Sequence, residues 1–176
     1  MENSNSETKP AVACKAYEYL ATKLHKDCIL GIGTGSTTNF FIQELINKKP
    51  EIKAIVSSSV ASTQLLEEAG LEVSELNDVG SPDFYIDGAD EINDRFEMIK
   101  GGGGALTREK IIASASRKFI CICDSSKKVK VLGKFPVAIE VIPMARSYVA
   151  RQMVVKGGTP EYRVGFVSDN GNQIID

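Results

Sequence analysis

Apolar positions along this chain switch between two periods. Segments with the 3.6-residue spacing of an amphipathic helix trade with short apolar runs over the first three quarters of the sequence. This βαβ rhythm predicts an α/β fold with an open, mainly parallel sheet covered on both faces. The spacing predicts a helix over residues 11–22 and a strand over 28–32. After a Gly-rich turn, Phe41, Ile42, Leu45 and Ile46 fall on one helical face. A strand over 52–56, a helix ending at Glu68 before Gly70, and short strands over 71–76 and 84–86 come next. The run Phe119-Ile120-Cys121-Ile122-Cys123 is apolar at both alternating positions, as a strand between two helical layers requires, and is expected at the centre of the sheet.

The pattern changes after the basic loop Lys127-Lys128-Val129-Lys130 and the stretch Gly133-Lys134-Phe135-Pro136. From there to the end, the residues predict a strand over 137–142, a helix over 144–156 closed by Gly157-Gly158, a strand over 162–168 and a turn at Asp169-Asn170-Gly171. Strand, helix, strand and strand make the first half of a ferredoxin-like βαββαβ unit. The expected organisation is therefore a Rossmann-like catalytic domain over residues 1–136 and a smaller α+β lobe over 137–176 that is truncated. A complete three-stranded lobe is the lesser alternative, because so small a piece buries little.

Composition narrows the partners. With 176 residues, 43% of them apolar and 25% charged, the chain is of ordinary globular type. Lys and Arg number 21 against 23 Asp and Glu, a net charge of −2, which speaks against a protein built to neutralise nucleic-acid phosphates. No apolar run approaches the roughly 20 residues of a membrane span, and the first residues lack the basic and apolar regions of a signal peptide, so a cytoplasmic location is expected. Cys14, Cys28, Cys121 and Cys123 form no CxxC pair and are expected to be small core residues rather than zinc ligands or disulfides. His25 is the one histidine and sits in a charged stretch, so acid–base chemistry falls to carboxylates and lysines.

Three motifs carry that chemistry. Gly31-Ile32-Gly33-Thr34-Gly35-Ser36-Thr37 joins a strand to a helix, where backbone N–H groups and the helix dipole suit a phosphate. It is neither the dinucleotide fingerprint, since Ser36 stands at the third glycine position, nor a P-loop, since no Gly-Lys-Ser/Thr comes after it. A plain turn with a Ser or Thr cap explains it about as well. Asp87-Gly88-Ala89-Asp90-Glu91 succeeds a strand at the carboxyl edge of the sheet, where ligands bind and polar groups face the crevice. A divalent cation is the lesser reading there, for want of further ligands at metal spacing. Lys100-Gly101-Gly102-Gly103-Gly104-Ala105 runs directly into a helix over 105–116, which favours an anion nest over a flexible linker. On that helix Glu109 shares a stripe of small apolar residues with Ala105, Ile112 and Ala113, so its pKa should be raised, as a general base requires; pairing with Arg108 or Lys110 is the ordinary alternative. The ligand that suits two glycine loops, an acidic loop, a lysine and a half-buried glutamate is a polyhydroxylated phosphate.

GIGTGST, SSSVAST, DGADE, KGGGGALTREK, DSSKKVKVLGKFP and EVIPMARSYVARQ, in this order, closely resemble type A ribose-5-phosphate isomerase over about residues 9–176. The resemblance implies interconversion of D-ribose 5-phosphate and D-ribulose 5-phosphate in the non-oxidative pentose phosphate pathway, without metal, nucleotide or other cofactor. It implies a homodimer or larger homo-oligomer acting on a small sugar phosphate, with neither nucleic acid nor membrane as partner. Glu109 of TREK would be the proton-transferring base. Thr34, Gly35, Ser36, Thr37, Asp87, Gly88, Ala89, Asp90, Lys100, Gly101, Gly102, Gly103 and Lys127 would line the substrate site. Asp87 or Asp90 would assist ring opening, and Lys100 would steady the oxygens of a cis-enediolate. Whether Lys9 matches an N-terminal phosphate-contacting lysine is left open by Pro10 and the longer connection after the first helix. Family members also continue past residue 176, as the half-formed lobe implies, which puts the activity of a chain of this length in question. Two other functions compete: a sugar-phosphate sensor, which would need no base, and a relative of the CoA-transferases, for which the chain is too short.

Overall fold

The structure, a computed structural model, describes residues 4–176. It begins with α1 (Ser4–Ala21), which runs through Pro10 instead of starting after it. Then β1 (Ile29–Ile32) leads through the first glycine turn into α2 (Ser36–Lys48), β2 (Ala54–Ser57) and α3 (Val60–Glu68). Gly70, just past α3, takes φ +78° and ends that helix in the left-handed conformation. A single helical turn, α4 (Leu76–Val79), precedes β3 (Phe84–Asp87), the hairpin β4 (Glu91–Ile92) and β5 (Met98–Ile99), α5 (Leu106–Ala115) and β6 (Phe119–Cys121). The chain closes with β7 (Ile139–Val141), α6 (Arg146–Val155) and β8 (Gln173–Ile175).

The main sheet is parallel with strand order β2-β1-β3-β6. Side chains alternate across it. Leu30, Ile32, Ile55 and Ile86 face a core built with Ala13, Ala16 and Leu20 of α1, Phe41, Ile42 and Leu45 of α2, and Leu66 of α3. Ile29, Val56 and Tyr85 face the other way, onto Ile112 of α5. Each fully buried Phe, Leu or Ile contributes about 1.5–3 kcal/mol, so this double-sided packing explains why the strands read as continuous apolar runs.

Four expectations need correction. The apolar run at 119–123 lies at the edge of the sheet, not its centre; it is apolar on both faces because Phe119 packs with the α5 cluster and Ile120 and Ile122 with the α1–α2 core. Residues 71–76 add no strand. They touch the β2 edge at one bridge, Ile55 with Val73, then wrap around it: Leu71 and Val73 pack on one face of the sheet and Leu76 and Val79 on the other. Residues 162–168 pair with β8 only at the bridge Tyr162–Ile175, because Gly165 turns at φ +76° and Phe166 packs instead against Gly104. Of the cysteines only Cys28 is buried; Cys14 is exposed on α1, and Cys121 and Cys123 are half-buried. Near the end of the chain β7 and β8 pair antiparallel, and α6 between them in sequence buries none of its residues.

Candidate active site

The carboxyl ends of β1 and β3 and the turn before α5 meet at one cavity of about 210 Å³. Thr34, Gly35, Ser36 and Thr37 form one wall, Gly88, Ala89 and Asp90 the second, and Lys100, Gly101, Gly102 and Gly103 the third, with Ala105, Glu109 and Lys127 completing it. The three motif segments thus converge as the motifs imply. Ala105 is an addition to the expected set. Asp87 is the one departure: it is fully buried and sits beneath the lining rather than in it, so its carboxylate does not face the crevice.

Asp87 is placed there by β3 and held by many donors. Its Oδ1 accepts from Thr34 N at 3.1 Å and Gly88 N at 2.7 Å, and its Oδ2 from the Tyr85 hydroxyl at 2.8 Å and Lys100 Nζ at 2.7 Å. Tyr85 is two residues upstream, hence on the same face of the strand. Burial, then the negative Asp87 and Glu109, push its phenol pKa up, so it remains a donor. Gly33 lets the first loop approach this carboxylate.

Lys100 is the hub of the site. Besides Asp87 it donates to the Gly88 carbonyl at 2.6 Å and stands 3.2 Å from Glu109 Oε2. Burial works to lower its pKa, but the two carboxylates outweigh that and hold the ammonium above its ordinary value. Glu109, on the first turn of α5, is 6% exposed, and its Oε2 lacks a well-aligned hydrogen bond. Burial first, then repulsion from Asp87, raise its pKa to about 8 against the pull of Lys100. A carboxylate so placed can take and return a proton near neutral pH while the ammonium beside it steadies a developing oxyanion. Arg108 is engaged elsewhere, with Asn170 and the Asp169 carbonyl.

At the opposite end, Gly35, φ +104°, is the N-cap of α2, and no side chain caps the helix. The cap explanation of this loop therefore fails, and the first-turn N–H groups point outward with no intrahelical acceptor. Lys9 reaches across from α1 to donate to Ser36 Oγ at 2.8 Å, and Lys127, on a 3₁₀ turn at Ser125–Lys127, lines the same end. Helix dipole and two ammonium groups make this the anion end of the cavity. The remaining acids of the second motif are occupied. Asp90 Oδ2 accepts from Gly102 N at 2.8 Å, and the buried Glu91 accepts from Gly133 N at 2.9 Å and Phe135 N at 2.6 Å. Tyr85 and Ser58, which lies 3.2 Å from Thr34 Oγ1, are supports that sequence reasoning missed. The period of two along β3 pointed to Tyr85, and the SSSVAST motif contains Ser58.

The family model described as ribose 5-phosphate isomerase A (phosphoriboisomerase A) matches residues 54–176. The chain is 58% identical over 171 residues to ribose-5-phosphate isomerase A of Legionella pneumophila (strain Corby), covering 97% of this chain and 77% of that protein. Its fold is similar to the crystal structure of ribose 5 phosphate isomerase A from Neisseria gonorrhoeae, with TM-score 0.91 and 49% identity over 97% of this chain and 74% of that one. It is also similar to a D-ribose-5-phosphate isomerase in complex with phospho-erythronic acid, with TM-score 0.90 and 36% identity over 97% of this chain and 78% of that one.

Proposed function

The chain belongs to the ribose 5-phosphate isomerase A family, and we infer that its cavity interconverts D-ribose 5-phosphate and D-ribulose 5-phosphate, an aldose–ketose isomerisation of the non-oxidative pentose phosphate pathway. The observation that carries this is the pairing of Glu109 and Lys100 at 3.2 Å in a cavity whose far end is a helix N-terminus flanked by Lys9 and Lys127. A sensor would need the anion end alone. The complexed relative supports the substrate class, since phospho-erythronic acid is a phosphorylated short sugar acid.

In this reading the 5-phosphate lies on Thr34, Gly35, Ser36 and Thr37, with Lys9 and Lys127 beside it. Asp90, which lines the cavity, assists ring opening; Asp87, beneath the lining, positions Lys100 and Thr34 instead. Glu109 then takes the C2 proton of the open aldose. The electron pair moves into a C1–C2 double bond and the carbonyl oxygen becomes the enediolate oxygen, which Lys100 and glycine-loop N–H groups hold. Passing the hydroxyl proton from O2 to O1 and returning the carbon proton from Glu109 to C1 gives the ketose. Each atom is conserved and no electron leaves the substrate, so the step calls on no redox partner. Residues 1–136 carry every lining group, and 137–176 form the smaller lobe. Among the described residues no helix is long and apolar enough to cross a membrane. The family resemblance supports a cytoplasmic homodimer or larger homo-oligomer. The test is a coupled assay of this 176-residue chain on ribose 5-phosphate, run in D₂O; turnover with solvent deuterium at the product C1 is expected, and binding without turnover would favour the sensor.

A further inference from the structure

Four successive glycines have more backbone freedom than any other tetrapeptide, so a cavity wall built on Gly101, Gly102 and Gly103, with Gly104 behind them in sequence, keeps one shape only if neighbours impose it. Part of that imposition comes from the smaller lobe. Arg163 Nη1 donates to the Gly102 carbonyl at 2.9 Å, while on the cavity side Asp90 accepts from the Gly102 N–H. Two rings fill the space that side chains would take. A Cβ on Gly102 would stand 2.4 Å from the Phe135 ring, and one on Gly104 2.3 Å from the Phe166 ring. Arg163 also makes two contacts with the Asp176 carboxylate, through nitrogens other than the one that meets Gly102, and lies 5.3 Å over the Phe166 ring.

The chemistry of one peptide gives this contact its meaning. The Gly102 carbonyl and the Gly103 N–H belong to the same planar trans peptide, so they point in opposite directions. Gly103 lines the cavity, and among the described residues its N–H has no partner. We propose that Arg163 is a positioning residue for the isomerisation: by holding the Gly102 carbonyl away from the cavity it keeps the Gly103 N–H turned toward it, as a donor to the negative oxygens of the enediolate. Without Arg163 the 102–103 peptide can flip at little cost, because neither glycine restricts it. A flipped peptide presents a carbonyl oxygen to those oxygens in place of a donor.

This role rests on the isomerase reading of the cavity, and the experiment separates the two. Steady-state kinetics on ribose 5-phosphate are measured for wild type, Arg163→Met, Arg163→Lys and Asp176→Asn, together with amide hydrogen exchange at Gly102. Arg163→Met should lower kcat about tenfold, less than the loss on deleting an oxyanion donor outright, with KM changed less than about threefold. Arg163→Lys, which still offers a donor to the carbonyl, should recover part of kcat. Asp176→Asn removes the ion pair but not the Gly102 contact and should stay within about twofold of wild type. Gly102 exchange should quicken in Arg163→Met and not in Asp176→Asn. Unchanged kcat or unchanged Gly102 exchange in Arg163→Met overturns the proposal, as does an equal loss in Asp176→Asn. If Arg163→Met fails to fold, Arg163→Lys against Asp176→Asn decides by the same two readouts. A wild type without isomerase activity sinks the isomerase reading and with it the catalytic role, while Gly102 exchange still reports whether Arg163 holds the wall.

Discussion

Gly33 and Asp87 are packed so closely that a Cβ on the glycine would stand 2.1 Å from the aspartate carboxylate. The Gly33 φ is not positive, so space rather than backbone conformation fixes this residue. The approach lets Thr34 N bond Asp87, which ties the Thr34–Thr37 loop to the support of Lys100 in one contact. Gly33→Ala should therefore destabilise the fold by about 1–3 kcal/mol through overpacking and lower turnover as well. Gly103→Ala, where a Cβ meets nothing within 4 Å, should leave the melting temperature unchanged. Thermal melts of the two variants check this; equal melting would mean that Asp87 shifts freely.

The pKa of Glu109, about 8 in the folded state, sets opposite demands on stability and activity. The folded protein holds this proton over the window from the ordinary value near 4.5 to about 8, where the unfolded chain has released it. Its contribution to stability is present below that window and is lost as pH rises through it. The free base of the folded enzyme appears only as pH approaches and passes about 8, so kcat/KM should rise with pH along a limb near 8. Since Glu109 shares its field with Asp87 and Lys100, that limb belongs to the cluster. Urea melts from about pH 4 to about pH 9 should show the slope in wild type and a flatter line in Glu109→Gln.

Chelators should leave activity intact. Asp87, Asp90 and Glu91 are engaged by N–H groups, a tyrosine hydroxyl and the Lys100 ammonium, and a cation would have to displace those donors. Activity before and after EDTA, with Mg²⁺ or Mn²⁺ added back, is the measurement. Loss and rescue would transfer these acids to a metal site.

How much of this was legible beforehand depends on how far each contact reaches along the chain. Thr34 to Thr37, Gly88 to Asp90 and Lys100 to Gly103 are short contiguous motifs, and each lies where its own sequence says, at a strand or helix end. Glu109 was legible from its neighbours on the α5 stripe, since Ile112 is buried with it. The burial of Asp87 was not. It depends on Tyr85, Thr34 and Lys100 closing over it, and an acid at a strand end reads the same whether it faces ligand or core. Arg163 lies 61 residues from Gly102, and no local pattern announces that contact. The edge position of β6 escaped for a related reason: an apolar run records cover on both faces but not the number of neighbours beside it.

The anion end makes a ligand prediction. With uncapped N–H groups at Gly35 to Thr37 and ammonium groups at Lys9 and Lys127, most affinity for the substrate should come from its phosphate. A ligand that binds only the folded state adds RT ln(1 + [L]/Kd), about 2.7 kcal/mol at a hundredfold excess over Kd. Ribose 5-phosphate or a pentonate 5-phosphate should therefore raise the melting temperature, and ribose at equal concentration should not. Equal shifts would remove the phosphate from this loop.

Glu109→Gln is the sharpest test of the site. Glutamine keeps the shape and a carbonyl oxygen near Lys100 but cannot accept the C2 proton. General base catalysis of this kind is worth roughly 10²–10⁴ in rate, so kcat should fall by at least that range. Affinity for a pentonate 5-phosphate should change far less, because the base acts in the transition state and the phosphate is held at the other end of the cavity. Near neutral pH the raised pKa keeps the wild-type carboxyl largely protonated, so the substitution is close to isosteric and the fold should tolerate it. Glu44→Gln, on the far stretch of α2, is the control and should be close to wild type. In D₂O the wild type should exchange the C2 hydrogen of the aldose and the variant should not. Turnover and exchange near wild type in Glu109→Gln would pass the proton transfer to Asp90, the other carboxylate that reaches the cavity lining, and leave the burial of Glu109 without a catalytic purpose.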